Sequence, residues 1–174
     1  MKPIRLTSSL AAFAALVLGA AGVLADDAAV NSSDKSFIKD AYQGGLAEVK
    51  MGELGQGKSA NAEIKAFAAH IVADHTKANA ELKTLANSKK VSVSEDPSLM
   101  AQGKAKLLDV KSGESFDKAY AEAMVSDHKK DIAAFEKEAN EGTDPDVKAF
   151  AAKTLPTLKM HLSMAEDLQK KVGK

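Results

Sequence analysis

Three histidines and one glutamate carry the chemistry this sequence can offer. His75 and His128 sit in two copies of one pattern, "IVADHTK" at 71–77 and "MVSDHKK" at 124–130, 53 residues apart. His161 follows in "LPTLKMHL", and Glu48 precedes them in "LAEVK". Turned at about 100° per residue, His75 falls within about 40° of Ile64, Ile71 and Leu82, and His128 within the same arc of Met124, Ile132, Phe135 and Ala139. His161 lies among Phe150, Thr157, Ala165, Leu168 and Val172, and Glu48 among Phe37, Ala41, Gly44, Gly52 and Gly55. Each of the four therefore points inward from an apolar face. His70 projects more than about 100° from the apolar face of its own helix and reads as a surface residue.

Burying four ionisable groups is costly unless they pair with one another or hold an ion. Three imidazoles and a carboxylate suit Zn, Cu(II), Fe(II) or Ni, and not Ca or Mg. Glu48, His75, His128 and His161 are thus the candidate ligands of one transition-metal ion. Asp74 and Asp127 stand about 100° from their own histidines and cannot ligate from the same direction. Their expected roles are pairing with Lys77 and Lys130, or holding a histidine of a neighbouring helix from behind, with Tyr120 as a further supporting group. Met51, Met124 and Met164, one turn from Glu48, His128 and His161, would favour copper, although such methionines ordinarily fill a core. The same residues admit a simpler reading. Each histidine could be satisfied by Glu48, Tyr42, Tyr120, Thr154 or Thr157, leaving a structural or protein-interaction bundle with a paired polar core and no ligand. A metal-dependent enzyme is a third reading. No cysteine, phosphate-binding glycine loop or serine nucleophile elbow offers other catalysis.

The elements that must position these groups are helices. Apolar residues recur at three and four, and alternation at two is absent. Helix one is expected over 34–57, from the caps of "NSSD" to a break at Gly55 and Gly57. Helix two follows over 60–88. A connection opening on "SVSEDPS" carries a short helix between Pro97 and Lys111, suggested by Leu99, Leu107, Leu108 and Val110 and closed by Gly113. Helix three covers 114–140 and stops at Gly142; Asp144-Pro145 starts helix four, which runs to Val172 with a kink expected at Pro156. "IKAFAAH" at 64–70 and "VKAFAAK" at 147–153 echo each other near the start of the second helix of each hairpin. Two helical hairpins joined by a long crossover with a short helix make an all-α, ferritin-like four-helix bundle. In it the four inward groups lie roughly 16 to 28 Å from their hairpin turns, near mid-bundle.

The N-terminus reads as a secretory signal peptide over 1–25. Lys2 and Arg5 precede an apolar run from Leu10 to Val23, and Val23-x-Ala25 gives the small residues of a cleavage site before Asp26. The remainder, 26–174, is one domain. Without the leader the chain has a net charge near −2 and no Arg. A lysine-only, mildly acidic protein argues against nucleic acid as partner. No later stretch approaches the ~20 apolar residues of a membrane span. Lack of cysteine excludes disulfides and a lipid anchor. The expected place is the periplasm, in solution or peripheral to the outer membrane, with a homodimer or an envelope protein left open as partner.

From Phe37 to Leu168 the chain resembles the bacterial exported family known as domain of unknown function 4142. The matching features are the "AEV" segment with Glu48, the "VKAFA" starts, the Asp-His of "VADHTKANAEL", "FDKAYAEAMVSDH", and "LPTLKMHL" with Pro156 and His161. The resemblance implies a ferritin-like fold and an envelope location, in which a binding role during envelope stress is expected, and assigns no activity. The chain departs from ferritin-like di-iron sites, which need Glu-x-x-His on two helices. Val72, Val125 and Leu158 stand three residues before its histidines.

Overall fold

Three of the four long helices start where a side chain supplies an acceptor for the first free N–H groups, the exception being the one that begins at Gly113. Asn31 receives the amide of Asp34, Asn61 that of Glu63, and Asp144 those of Asp146 and Val147, with Pro145 in the first turn. The computed structural model describes residues 30–173. They form α1 (Ser32–Lys58), α2 (Ala62–Ser88), α3 (Leu99–Asp109), α4 (Gly113–Glu141) and α5 (Pro145–Val172), with no strand among the described residues. The expected leader and its junction with Asp26 lie outside the described residues. Pro156 sits inside α5 without ending it.

α1 pairs with α2 and α4 with α5, while α1 also packs on α4 and α2 on α5. The end contacts give the directions. Asp34, at the start of α1, meets Thr143 after α4, and Ser59, after α1, hydrogen-bonds Asp117 near the start of α4 at 2.7 Å. Lys89, after α2, pairs with Asp144 at the start of α5 at 2.8 Å, and Lys171 in the last turn of α5 pairs with Glu63 in the first turn of α2. Each of the four long helices is therefore antiparallel to both of its long neighbours. The 89–112 connection must then travel the length of the bundle, and it carries α3 over the seam between α1 and α4. This is the ferritin-like arrangement.

Two details differ from the expected elements. α1 does not break at Gly55 and Gly57 but continues to Lys58. A Cβ on Gly55 would lie 2.7 Å from the Tyr120 ring, and one on Gly52 2.7 Å from Val72 Cγ2 and 2.9 Å from the Ala68 carbonyl. These glycines let helices approach closely and do not end one. On the same helix it is Gly45, against Asn79, that faces inward; Gly44 meets nothing. The second concerns α3, which forms inside the expected 97–111 span: of the residues that suggested it, Leu99, Leu107 and Val110 are 86%, 71% and 83% exposed, and the helix is seated by Ala105 and Leu108. It rests on the bundle with one face, and among the described residues no further layer covers the other.

The core divides in two. Ile64, Phe67, Phe116, Tyr120 and Met124 belong to the cluster near the α1–α2 turn; Ile38, Leu82, Phe135, Phe150 and Leu158 belong to that near the α4–α5 turn. Along each helix one inward ionisable group separates them: Glu48 between Tyr42 and Met51, His75 between Ile71 and Leu82, His128 between Met124 and Phe135, His161 between Leu158 and Ala165. The echoed segments anchor opposite clusters, with Ile64, Phe67 and Ala68 in one and Val147, Phe150 and Ala151 in the other.

Candidate metal centre

α2, α4 and α5 bring His75, His128 and His161 together in the polar layer. One ligand atom from each ring can be chosen so that all three lie within 4.8 Å of one another. The ring centroids are 5.3 to 5.8 Å apart. His128 and His161 are 0% exposed and His75 7%.

For two of the three, a neighbour fixes which nitrogen is free. His128 Nδ1–H donates to the Met124 carbonyl one turn back at 2.9 Å, leaving Nε2 as a lone pair. His161 Nε2–H donates to Asp74 Oδ2 at 3.0 Å, leaving Nδ1. His128 Nε2, His161 Nδ1 and His75 Nε2 are all buried without a hydrogen-bond partner. Asp74 thus holds a histidine of another helix, as one of its expected roles required. Asp127 does not pair as expected with Lys130; its partner is Lys104 of α3. The hydroxyls and carboxylate expected to satisfy the histidines do not do so. Tyr42 donates to Glu95, Thr154 to the Phe150 carbonyl, and Tyr120 Oη has no partner.

Burial keeps the imidazoles neutral. Desolvation, then the neighbouring His128 and His161, takes His75 down to about 3. Desolvation takes His128 to about 4, opposed by its bond to Met124. His161 is lowered by desolvation and partly restored by Asp74. Protons therefore do not compete for these lone pairs at neutral pH.

Glu48 is buried, at 3% exposed, with Oε2 unpartnered, but it falls outside the histidine group. It lines a cavity with Asp127 and Asp131 beneath α3. Desolvation and those two carboxylates raise it well above the usual carboxylate range, and Lys104 offsets this in part. Met51 and Met124 are buried in the apolar cluster, with Met164 packed against it. His70 is exposed. Asp131, which our reading of the sequence did not single out, is raised to about 6 by desolvation and Asp127. Its signal was present as a carboxylate one turn after His128.

Ligand nitrogens about 2.0–2.1 Å from a tetrahedral ion stand roughly 3.3 Å from one another. The triad fits such an ion after side-chain rotations of about an ångström. Fold and site together define an antiparallel helical bundle whose mid-layer is three buried, neutral imidazoles. The chain belongs to the DUF4142 family, described as a domain of unknown function, whose profile matches residues 20–168. It matches no curated protein. Its fold is similar to that of a DUF305 fragment from Deinococcus radiodurans, with TM-score 0.73, 11% identity, and coverage of 82% of this chain and 98% of that one. A DUF305 protein from Streptomyces coelicolor gives TM-score 0.69, 16% identity and coverage of 81% and 92%. CopM in its Cu(II)-bound form gives 0.65, 16%, and 79% and 96%. At these identities the likeness shows the fold alone.

Proposed function

We propose that this is an exported, periplasmic metal-binding protein that holds one transition-metal ion, Cu(II), Zn or Fe, on His75, His128 and His161. The observation that carries this reading is the meeting of three rings, with one ligand atom from each within 4.8 Å of the others, each ring keeping one buried nitrogen without a partner. A bundle with a satisfied polar core would have paired them. Asp74 orients His161, and the Met124 carbonyl orients His128. The N-terminal segment supports export, and the similarity to a protein determined with Cu(II) makes copper the first ion to test. The metal would join three helices across two hairpins. Its role is binding, with no reaction assigned.

Adding Cu²⁺ or Zn²⁺ to metal-free, untagged protein raises the melting temperature, because a ligand of the folded state stabilises it by about 2.7 kcal/mol at a hundredfold excess over Kd. The gain disappears in His75→Gln, His128→Gln or His161→Gln and survives in His70→Gln. A shift that persists through all three inward substitutions would mean adventitious surface binding, and no shift at all would favour the structural or interaction bundle.

A further inference from the structure

A buried site needs a way in, and the seam under α3 supplies one. A cavity of about 200 Å³ lies between α1, α3 and α4, with Glu48, Ser98, Lys104, Asp127 and Asp131 in its wall. Glu48 is the deepest of its carboxyl groups, 3% exposed, and its Oε2 has no partner. Two lysines, Lys104 and Lys130, stand in the same wall, and it is the Lys104 ammonium, from a side chain 36% exposed, that ion-pairs with Asp127. It can swing to water without moving a helix. Asp131 also borders a second, smaller space of about 20 Å³ beside His75, Gly45 and Asn79. Asp131 alone lines both. One carboxylate therefore faces the outer cavity on one side and the wall of the histidine layer on the other.

We propose that this cavity is a cation port, in which Glu48 and Asp131 take up a hydrated transition-metal ion in place of the Lys104 ammonium and pass it between α1 and α4 to the histidines. This rests on the reading of the histidines as a metal site. The oxygen donors suit a transient stop: they exchange quickly with water ligands, while the imidazoles offer the softer nitrogen donors that borderline metals prefer. Displacing one cation by another also keeps the buried carboxylates from standing uncompensated. Glu48 then has a part in metal binding that its place outside the histidine group denies it as a resident ligand.

The test is kinetic. Metal-free, untagged protein is mixed with Co²⁺, uptake is followed by the visible absorption of cobalt on the imidazoles, and release is followed after addition of EDTA. Asp131→Asn slows uptake and release together, by about tenfold, and Glu48→Gln does the same by several-fold, the scale on which a charged cleft raises local cation concentration. Gln matches the protonated carboxyl in shape and retains the fold. Lys104→Gln speeds uptake, and raising the salt slows it in the wild type. Equal slowing in both directions marks a route, since losing a resident ligand speeds release instead. Unchanged rates in Asp131→Asn and Glu48→Gln, or faster release without slower uptake, overturn the port and leave the histidine site standing. A wild type with no histidine-dependent cobalt spectrum overturns both.

Discussion

Asp34, at the α4–α5 end of the bundle, is as deeply buried as His128 and His161 in its middle, and its surroundings are the reverse of theirs. Asp34 accepts the Asp144 amide at 2.7 Å, the Thr143 amide at 3.2 Å and the Thr143 hydroxyl at 3.0 Å. Asp144 in turn caps α5 and pairs with Lys89, which caps the end of α2. That knot ties α1, α2 and the α4–α5 turn with donors the chain itself provides. The histidine layer lies at the same depth, yet three of its ring nitrogens have no partner. The contrast teaches how to read a buried polar group. One that stabilises a fold brings its partners, and one kept for a ligand leaves a place for it.

Asp34→Ala breaks the comparison from the structural side and carries the largest effect. It strands the Thr143 and Asp144 amides and costs about 3–4 kcal/mol in urea unfolding. A loss below about 1 kcal/mol would mean that water replaces the carboxylate and that the knot is incidental.

Next in size is a pH effect at Glu138. Burial and the Asp34 carboxylate raise Glu138 to about 7, from an ordinary value near 4.5. Because its folded value is the higher one, its contribution is complete below pH 4.5 and is lost as the pH rises through 7. Wild type and Glu138→Gln should match at pH 4, and the variant should lead by about 2–3 kcal/mol at pH 8. The imidazoles act in the opposite sense. With folded values depressed to about 3 and about 4, His75 and His128 contribute fully above about pH 6.5 and lose that contribution as the pH falls. Subtracting the variant's pH profile from the wild type's isolates the carboxyl from them, and parallel profiles would remove Glu138 from the knot.

The smallest effect is the sharpest in sign. His75→Met removes a buried ring nitrogen that has no partner among the described residues, so metal-free protein should keep its stability or gain up to about 1 kcal/mol. Metal stabilisation should vanish with it. A loss above about 2 kcal/mol, measured by thermal and urea unfolding, would show the histidine to be structural after all.

Rotation at about 100° per residue was enough to place His75, His128 and His161 inward and His70 outward, because a helix face is a local property of sequence. The cap-then-Pro pair Asp144-Pro145 located the start of α5 for the same reason. What sequence could not give was relations across helices. Spacing along α1 put Glu48 at the right level without saying into which gap it leans, and it leans toward the acidic seam. Asp74 was limited to two roles until α5 supplied its partner. Gly55 looked like a stop, since its neighbour Tyr120 lies 65 residues further along the chain. The apolar residues of α3 carried the signature of burial but not its location, and most of them face out.

That exposure has a thermodynamic consequence. Cooperative units of a native protein open with free energies that follow the apolar surface each one buries. α3 buries two side chains against the bundle, Ala105 and Leu108, while Leu99, Met100, Leu107 and Val110 stay in water. Its release is a local event far cheaper than global unfolding, and it can recur many times within the lifetime of one folded molecule. It uncovers the side of the apolar cluster that Ala105 and Leu108 join, while the pairing of α1 with α2 and of α4 with α5 does not pass through it. The bundle can thus exchange with its surroundings at the seam while its two hairpins stay formed.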